Sequence, residues 1–246
     1  MDLSEVNLRE KDFHNKLISQ GNNRSENKYY KALNNLYVDF FKYLEMNIKN
    51  KNILDYGCGI GGYTVKVLDF APLKITGIDI SEEAIKIAKK RNIQNNKVEF
   101  RVENCENTKL NSNQFDFVYG AGILHHLNLE RSIQEINRIL KANGKLIFIE
   151  PMGTNPIINF YRKLTPKSRS EDEHPFKFKD IKYLKGVFKN VEVSYYGFFT
   201  LLFLPFYSKP KDSRLFDLLS KIDKYIFKIP IFKFLAWSAI IKAEKN

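Results

Sequence analysis

The chain is poor in residues that staple or span. Its 246 residues include two cysteines, one tryptophan and four histidines. Cys58 and Cys105 share no C-x-x-C spacing and no paired pattern, so a disulfide framework is not expected and a reduced, cytoplasmic setting is. No His/Cys/carboxylate spacing suggests a metal. The longest nearly apolar stretch, residues 197–207, is too short to cross a bilayer as a helix. The first residues, M-D-L-S-E-V-N-L-R-E-K-D, are charged throughout and do not read as a signal peptide. Acid is also scarce: 28 Asp+Glu stand against 40 Lys+Arg, a net charge of +12. Residues 151–246 hold 18 basic and 9 acidic side chains, and so +9 of that total. A solvated lysine-rich surface is the plainest account. Attraction to an anionic substrate, an anionic membrane surface or nucleic acid are the functional ones.

What is present points to a globular α/β chain. Hydrophobic residues make up 43% and aromatics 14%, ample for a core. Residues 1–23 read as polar, broken at Gly21-Asn22-Asn23. From Glu26 to Asn47, Tyr29, Tyr30, Leu33, Leu36, Tyr37, Phe40, Phe41 and Leu44 recur at helical steps. Packing is the default for such aromatics, and Tyr29 or Tyr30 is placed to cover a ligand at the motif that follows.

That motif is N-I-L-D-Y-G-C-G-I-G-G-Y, residues 52–63. A short strand, a glycine turn (Gly57, Gly59, Gly62) and a helix start allow a nucleotide-like ligand to lie against bare backbone. Lys74 to Asp79 reads as a second strand, and the acid at its end suits a ribose diol. A helix capped by Ser81 follows. Strands are expected at 97–102, 115–121, 145–149, 191–196 and from Trp237 onward. Helices are expected at 130–141, 178–188 and 213–229, with 151–175 as a lid or loop. Strands alternating with helices imply a Rossmann-like, doubly wound, mostly parallel sheet with helices on both faces. Asp55, Asp79, Asn104, His125, His126 and Glu150 all fall at its carboxyl edge, where ligands of such sheets sit. The division expected is a helical cap over 1–50, a ligand-binding core over 51–150, and a lid and substrate region over 151–246 within one domain overall.

A dinucleotide and S-adenosylmethionine compete for the glycine turn. Asp55 weighs against the first, since a pyrophosphate beside a buried carboxylate is costly, whereas an ammonium and a sulfonium are welcome there. L-D-Y-G-C-G-I-G-G-Y, I-T-G-I-D-I-S, V-E-N-C-E-N, F-D-F-V-Y-G-A-G-I-L-H-H-L and I-N-R-I-L-K-A-N-G-K-L-I-F-I-E-P together resemble a class I S-adenosylmethionine-dependent methyltransferase of the small-molecule branch. The resemblance covers roughly residues 30–151. It implies seven strands, with strand 7 antiparallel between 5 and 6. It further implies that Asp55, Gly57, Cys58 and Gly59 meet the methionine portion, and that Asp79, with Ile80 beside it, meets the ribose. Asn104 and Cys105 would flank the adenine, and Ala121 to Leu124 the methyl side. The family often has Asp where Asn104 stands; the Asn carbonyl can still accept a hydrogen bond.

An alcohol acceptor must lose its proton, a task suited to histidine. His125 and His126 are the candidate bases, Glu150 a candidate for acceptor binding, and His174 a weaker third. Nucleic acid is disfavoured as substrate, because Y-G-A-G-I-L-H-H replaces the N-P-P-Y-type motif of base methyltransferases. The expected acceptor is a small molecule: a hydroxyl of a metabolite, sugar or lipid-linked precursor, or alternatively an amine. Residues 197–229 suit a long apolar substrate or membrane contact, or else core and a homodimer surface. A nicotinamide-dependent oxidoreductase and a non-catalytic binding protein stay open as alternatives.

Overall fold

A computed structural model describes residues 3–19, 28–91, 95–165, 170–207 and 209–246. The break at Gly21-Asn22-Asn23 and the side chain of Tyr29 lie outside the described residues. Seven strands form one sheet: β1 (Asn52–Tyr56), β2 (Lys74–Asp79), β3 (Val98–Val102), β4 (Phe115–Ala121), β5 (Leu140–Pro151), β6 (Lys189–Tyr196) and β7 (Ser238–Glu244). Their order is β3-β2-β1-β4-β5-β7-β6. The first five strands run parallel, and β7 lies antiparallel between β5 and β6. The chain reverses direction across the sheet at β1/β4, which opens a cleft at the carboxyl ends of those strands.

The central strands are buried on both faces because helices cover both. On one face α2 (Asn34–Asn47) buries Leu36, Phe40, Phe41 and Leu44 against Ile53, Ile75, Phe117 and Ile147. Each such side chain contributes on the order of 1.5–3 kcal/mol. On the other face Ile133, Ile136 and Ile139 of α5 (Leu129–Ile139) join Ile181 and Leu184 of α7 (Phe178–Val187) over Leu146 and Phe148. Helix α3 (Gly62–Leu68) leaves the glycine turn, and α4 (Glu82–Arg91) carries acids in its first turn and bases in its last, as its dipole favours.

Several elements depart from the pattern expected. The helix anticipated from Glu26 is a 3₁₀ segment over Lys28–Leu33 before α2 begins. The helix expected to reach Lys141 stops at Ile139, because Leu140 already pairs with Phe115 in β5. The Asn143–Gly144 turn, with Asn143 at φ 59°, lies inside that strand. The expected loop 151–175 contains α6 (Pro156–Leu164), begun by Asn155, whose side chain accepts from the N–H groups of Ile157 and Ile158. Within the helical cap expected over 1–50, the polar first residues form α1 (Glu5–Ser19), whose position over the cleft was not expected. It packs on α4 and lies over the cleft, tied by Lys11–Glu82 (2.7 Å) and by a hydrogen bond between Asn15 and Ser81 (2.5 Å).

Candidate functional site

The turn after β1 forms the floor of the cleft. Gly57, Gly59 and Gly61 have φ of 74°, 51° and 77°, the left-handed region that favours glycine. Gly62, which the G-x-G-x-x-G spacing singles out, has no such requirement; the turn uses Gly61 instead. A Cβ on Gly59 would meet nothing within 4 Å, so bare backbone faces open space there. Asp79 holds the turn from the end of β2: one carboxylate oxygen accepts from Gly59 N–H (2.8 Å), the other from Ser81 N–H (2.9 Å).

One cavity unites these groups. It is lined by Gly57, Gly59, Asp79 and Ile80, by Asn104 and Cys105 after β3, and by Gly122, Ile123, His126 and Leu127 after β4. Helix α1 closes it with Asn7, Glu10, His14 and Ile18. Asn7 reaches two loop residues, accepting from the Asn104 amide (3.2 Å) and donating to Glu106 (3.0 Å). The Asn104 oxygen accepts from Glu106 N–H, leaving its second lone pair for a ligand donor.

Other expected site residues stand behind the wall. Asp55 is buried, accepting on one oxygen from Thr64 (2.6 Å) and Tyr119 (2.9 Å), and burial raises its carboxyl to about 6. The Cys58 thiol packs with Ile85, Ala88 and Phe100 on the α4 side. Tyr30 sits beside Trp237 (ring centroids 5.8 Å apart), and Ala121 packs with the α2 core.

The two histidines divide. Glu150, fully buried at the end of β5, accepts from the N–H groups of Ile123 (3.2 Å) and Leu124 (2.8 Å), and its other oxygen lies 2.6 Å from His125 Nδ1. Burial raises its carboxyl to about 7. Glu150 and His125 thus hold the turn after β4 and are not on the cavity wall. Glu150, expected to bind the acceptor, is 0% exposed and engaged by backbone N–H groups and His125. His126 is the one that lines the cavity. Its Nδ1 lies 3.1 Å from Glu10 Oε2, and His14 Nε2 lies 3.5 Å from the same oxygen. Burial lowers the His126 imidazole, against the pull of Glu10. Burial pushes Glu10 upward, but His126 and His14 together hold it well below the usual carboxylate range. His174 is turned to the backbone, its ring nitrogens meeting the carbonyls of Asp172 (2.7 Å) and Leu127 (2.9 Å).

Sequence reasoning missed Asn7, Glu10 and His14 entirely. The i, i+4 spacing of Glu10 and His14 was the available signal, but nothing in a polar segment announced that it would fold over the cleft.

Residues 54–148 match the family model of the methyltransferase domain. The fold is that of the class I S-adenosylmethionine-dependent methyltransferases. Sterol 4-C-methyltransferase of Caenorhabditis elegans is 30% identical over 132 residues, 52% of this chain and 39% of that protein. A ubiquinone biosynthesis O-methyltransferase of Bordetella avium is 29% identical over 134 residues, 54% of this chain and 55% of the relative. The chain thus spans about half the length, or less, of these relatives. Haemonchus contortus phosphoethanolamine N-methyltransferase 2, solved in complex with S-adenosyl-L-methionine, matches with a TM-score of 0.64 at 18% identity, covering 99% of this chain and 60% of that one. These names cover carbon, oxygen and nitrogen acceptors.

Proposed function

We propose that the chain binds S-adenosylmethionine in the cavity under α1 and methylates a small molecule, with a hydroxyl as the favoured acceptor. The observation that carries this reading is the convergence of the bare Gly59 backbone, the Asp79 carboxylate, Asn104 and Cys105 on one cavity. The fit is chemical as well as spatial. Asp79 can accept from two ribose hydroxyls, Asn104 has a lone pair for an amino group, and Asp55 supplies negative charge behind the turn. When bound, the cofactor supplies an electrophilic methyl on a sulfonium. The protein's part is to align the acceptor and exclude water. Helix α1 and the apolar Ile18, Ile123 and Leu127 provide the exclusion. The hydroxyl preference rests on Glu10, His14 and His126, polar groups that an amine acceptor would not require.

Calorimetric titration with S-adenosylhomocysteine should give one site per chain. Labelled S-adenosylmethionine should then mark a hydroxylated acceptor in a metabolite panel. A nicotinamide dinucleotide displacing S-adenosylhomocysteine would sink the assignment, and labelling of amines alone would reassign the acceptor atom.

A second reading concerns where the acceptor comes from. Phe206 (73% exposed), Ile231 (71%) and Tyr225 (67%) stand out in water beside Leu202, Phe203 and Phe234. The same region carries Lys209, Lys211, Lys221, Lys224, Lys228 and Lys233. Exposed aromatics among lysines suit an anionic lipid surface and a lipid-linked acceptor. No helix among the described residues is long and apolar enough to cross a membrane. Co-sedimentation with phosphatidylglycerol but not phosphatidylcholine vesicles would support surface contact; concentration-dependent dimerisation without vesicle binding would assign the face to a second copy.

A further inference from the structure

We propose that Glu10, His14 and His126 bind a divalent transition-metal ion on the wall of the cavity. Two elements bring the ligands together. Glu10 and His14 share one face of α1 by their i, i+4 spacing, and His126 arrives from the turn after β4. One ligand atom from each lies within 4.8 Å of the others. The two shorter separations are 3.1 Å and 3.5 Å. Ligands bound tetrahedrally at 2.0–2.1 Å stand about 3.3 Å apart, so the two edges from Glu10 already have the length of a coordination shell.

A second observation singles out Glu10. Both carboxylate oxygens are buried, the residue is 4% exposed, and neither oxygen has a hydrogen bond. A buried carboxylate left in that state is costly, and folded proteins rarely tolerate it. The contacts with His126 and His14 are close but misaligned for N–H donation. A buried carboxylate without a hydrogen bond, with two imidazole nitrogens beside it, is an arrangement that a cation resolves; Ser170 Oγ also lies 3.4 Å from His126 Nδ1. A simple ion pair would turn one imidazole N–H toward the oxygen. The donor set, two imidazoles and one carboxylate with no thiol, suits Zn²⁺, Mn²⁺, Fe²⁺ or Co²⁺ better than Ca²⁺ or Mg²⁺. Three protein ligands leave a coordination position toward the cavity, as in catalytic rather than structural sites.

That open position would take an oxygen of the acceptor, lowering its pKa and fixing its orientation. This use of the ion rests on the methyltransferase reading; the binding of the ion does not. His126 belongs to another triplet as well, with His125 and Glu173. The cluster on α1 is preferred because both Glu10 oxygens are buried without a hydrogen bond.

The test uses the full chain, stripped with a chelator and dialysed. Zn²⁺ titrated calorimetrically should bind at one equivalent, and Co²⁺ should give the visible absorption of a four- or five-coordinate site. Glu10→Gln and His14→Ala should each weaken Zn²⁺ binding about tenfold or more, while an unchanged far-UV circular dichroism spectrum certifies the fold. Absence of saturable one-to-one binding overturns the proposal. So does Zn²⁺ affinity unchanged in both variants, or lost only in Glu173→Gln, which would assign the ion to the other triplet. Metal binding without S-adenosylhomocysteine binding would keep this inference and remove the methyltransferase reading.

Discussion

The two ends of the cavity are built on opposite plans. At the β1–β2 end, the residues lie within one βαβ unit, from Asp55 to Asp79, and both carboxylates are satisfied: Asp79 takes the N–H groups of Gly59 and Ser81, and Asp55 takes the hydroxyls of Thr64 and of Tyr119 on β4. At the other end, α1 meets the turn after β4, more than a hundred residues away in sequence, and leaves the Glu10 carboxylate buried without a hydrogen bond. The first end is a finished receptacle, the second a set of groups waiting for something. Cofactor binding and acceptor chemistry should therefore respond separately to mutation.

The largest effect should come from the support of the second end. Glu150→Ala removes the acceptor for the backbone N–H groups of Ile123, Leu124 and His125 and the partner of the His125 ring, in a buried or half-buried turn. Unsatisfied buried donors cost about 1–3 kcal/mol each, so a loss of about 3 kcal/mol in unfolding free energy is expected by denaturant titration. Glu150→Gln, which keeps one acceptor oxygen, should lose less. Equal losses would show that the hydrogen bonds do not matter.

Next in size is Asp79→Ala, which strips the first end of its ribose acceptor and loosens Gly59. A loss of about thirtyfold in S-adenosylhomocysteine affinity is expected from a doubly used charged acceptor. Glu10→Gln should leave that affinity nearly unchanged. If both variants lose it alike, the two ends are one site and the contrast fails.

Asp55 gives a pH test of the first end. Burial raises its carboxyl to about 6. A carboxyl raised in the fold takes up its proton more readily there than in the unfolded chain. Its contribution to stability is therefore present at low pH and is lost as pH rises through 6. Cofactor binding runs the other way, because an ammonium prefers the ionised form: S-adenosylhomocysteine affinity should fall as pH drops below 6, by at most about tenfold per unit. Asp55→Asn should raise the melting temperature at pH 7.5 but not at pH 4.5, and should flatten the affinity profile. A profile unchanged in the variant would transfer the titration to another group.

The same contrast explains what could be read from the sequence. Asp55, the glycines and Asp79 fall within 25 residues, with a helix between two strands, and the periodicity of that unit is enough to assemble them. Seven strands with β7 antiparallel between β5 and β6 followed from resemblance and are what the chain adopts. The place of α1 over the cavity was not legible because its buried residues are Asn7 and Glu10, both polar. A helix held by polar contacts over a cavity leaves no hydrophobic stripe to detect. His125 and His126 were legible as a pair but not as individuals. Which one faces the cavity depends on Glu150 reaching across from the next strand, a contact 25 residues away.

The smallest effect tests the turn itself, where spacing and structure disagree about which glycine matters. Gly61 has φ 77°, and a Cβ there would lie 3.0 Å from the Phe100 ring and 3.3 Å from Ala88. Gly61→Ala combines a left-handed conformation, worth about 1 kcal/mol against alanine, with a contact that Phe100 must yield to. Gly62, by contrast, opens α3 with ordinary dihedrals, and its Cβ would meet nothing within 4 Å. Alanine there restricts the unfolded chain and favours the helix, a gain of up to about 1 kcal/mol. The two substitutions should thus shift the melting temperature in opposite directions, although the residues are neighbours in one motif. Because Gly59 and Asp79 bind the turn from its other side, S-adenosylhomocysteine affinity should survive Gly62→Ala intact. A destabilising Gly62→Ala with a neutral Gly61→Ala would mean that the spacing read from the sequence, and not the dihedrals of the folded turn, marks the glycine the site requires.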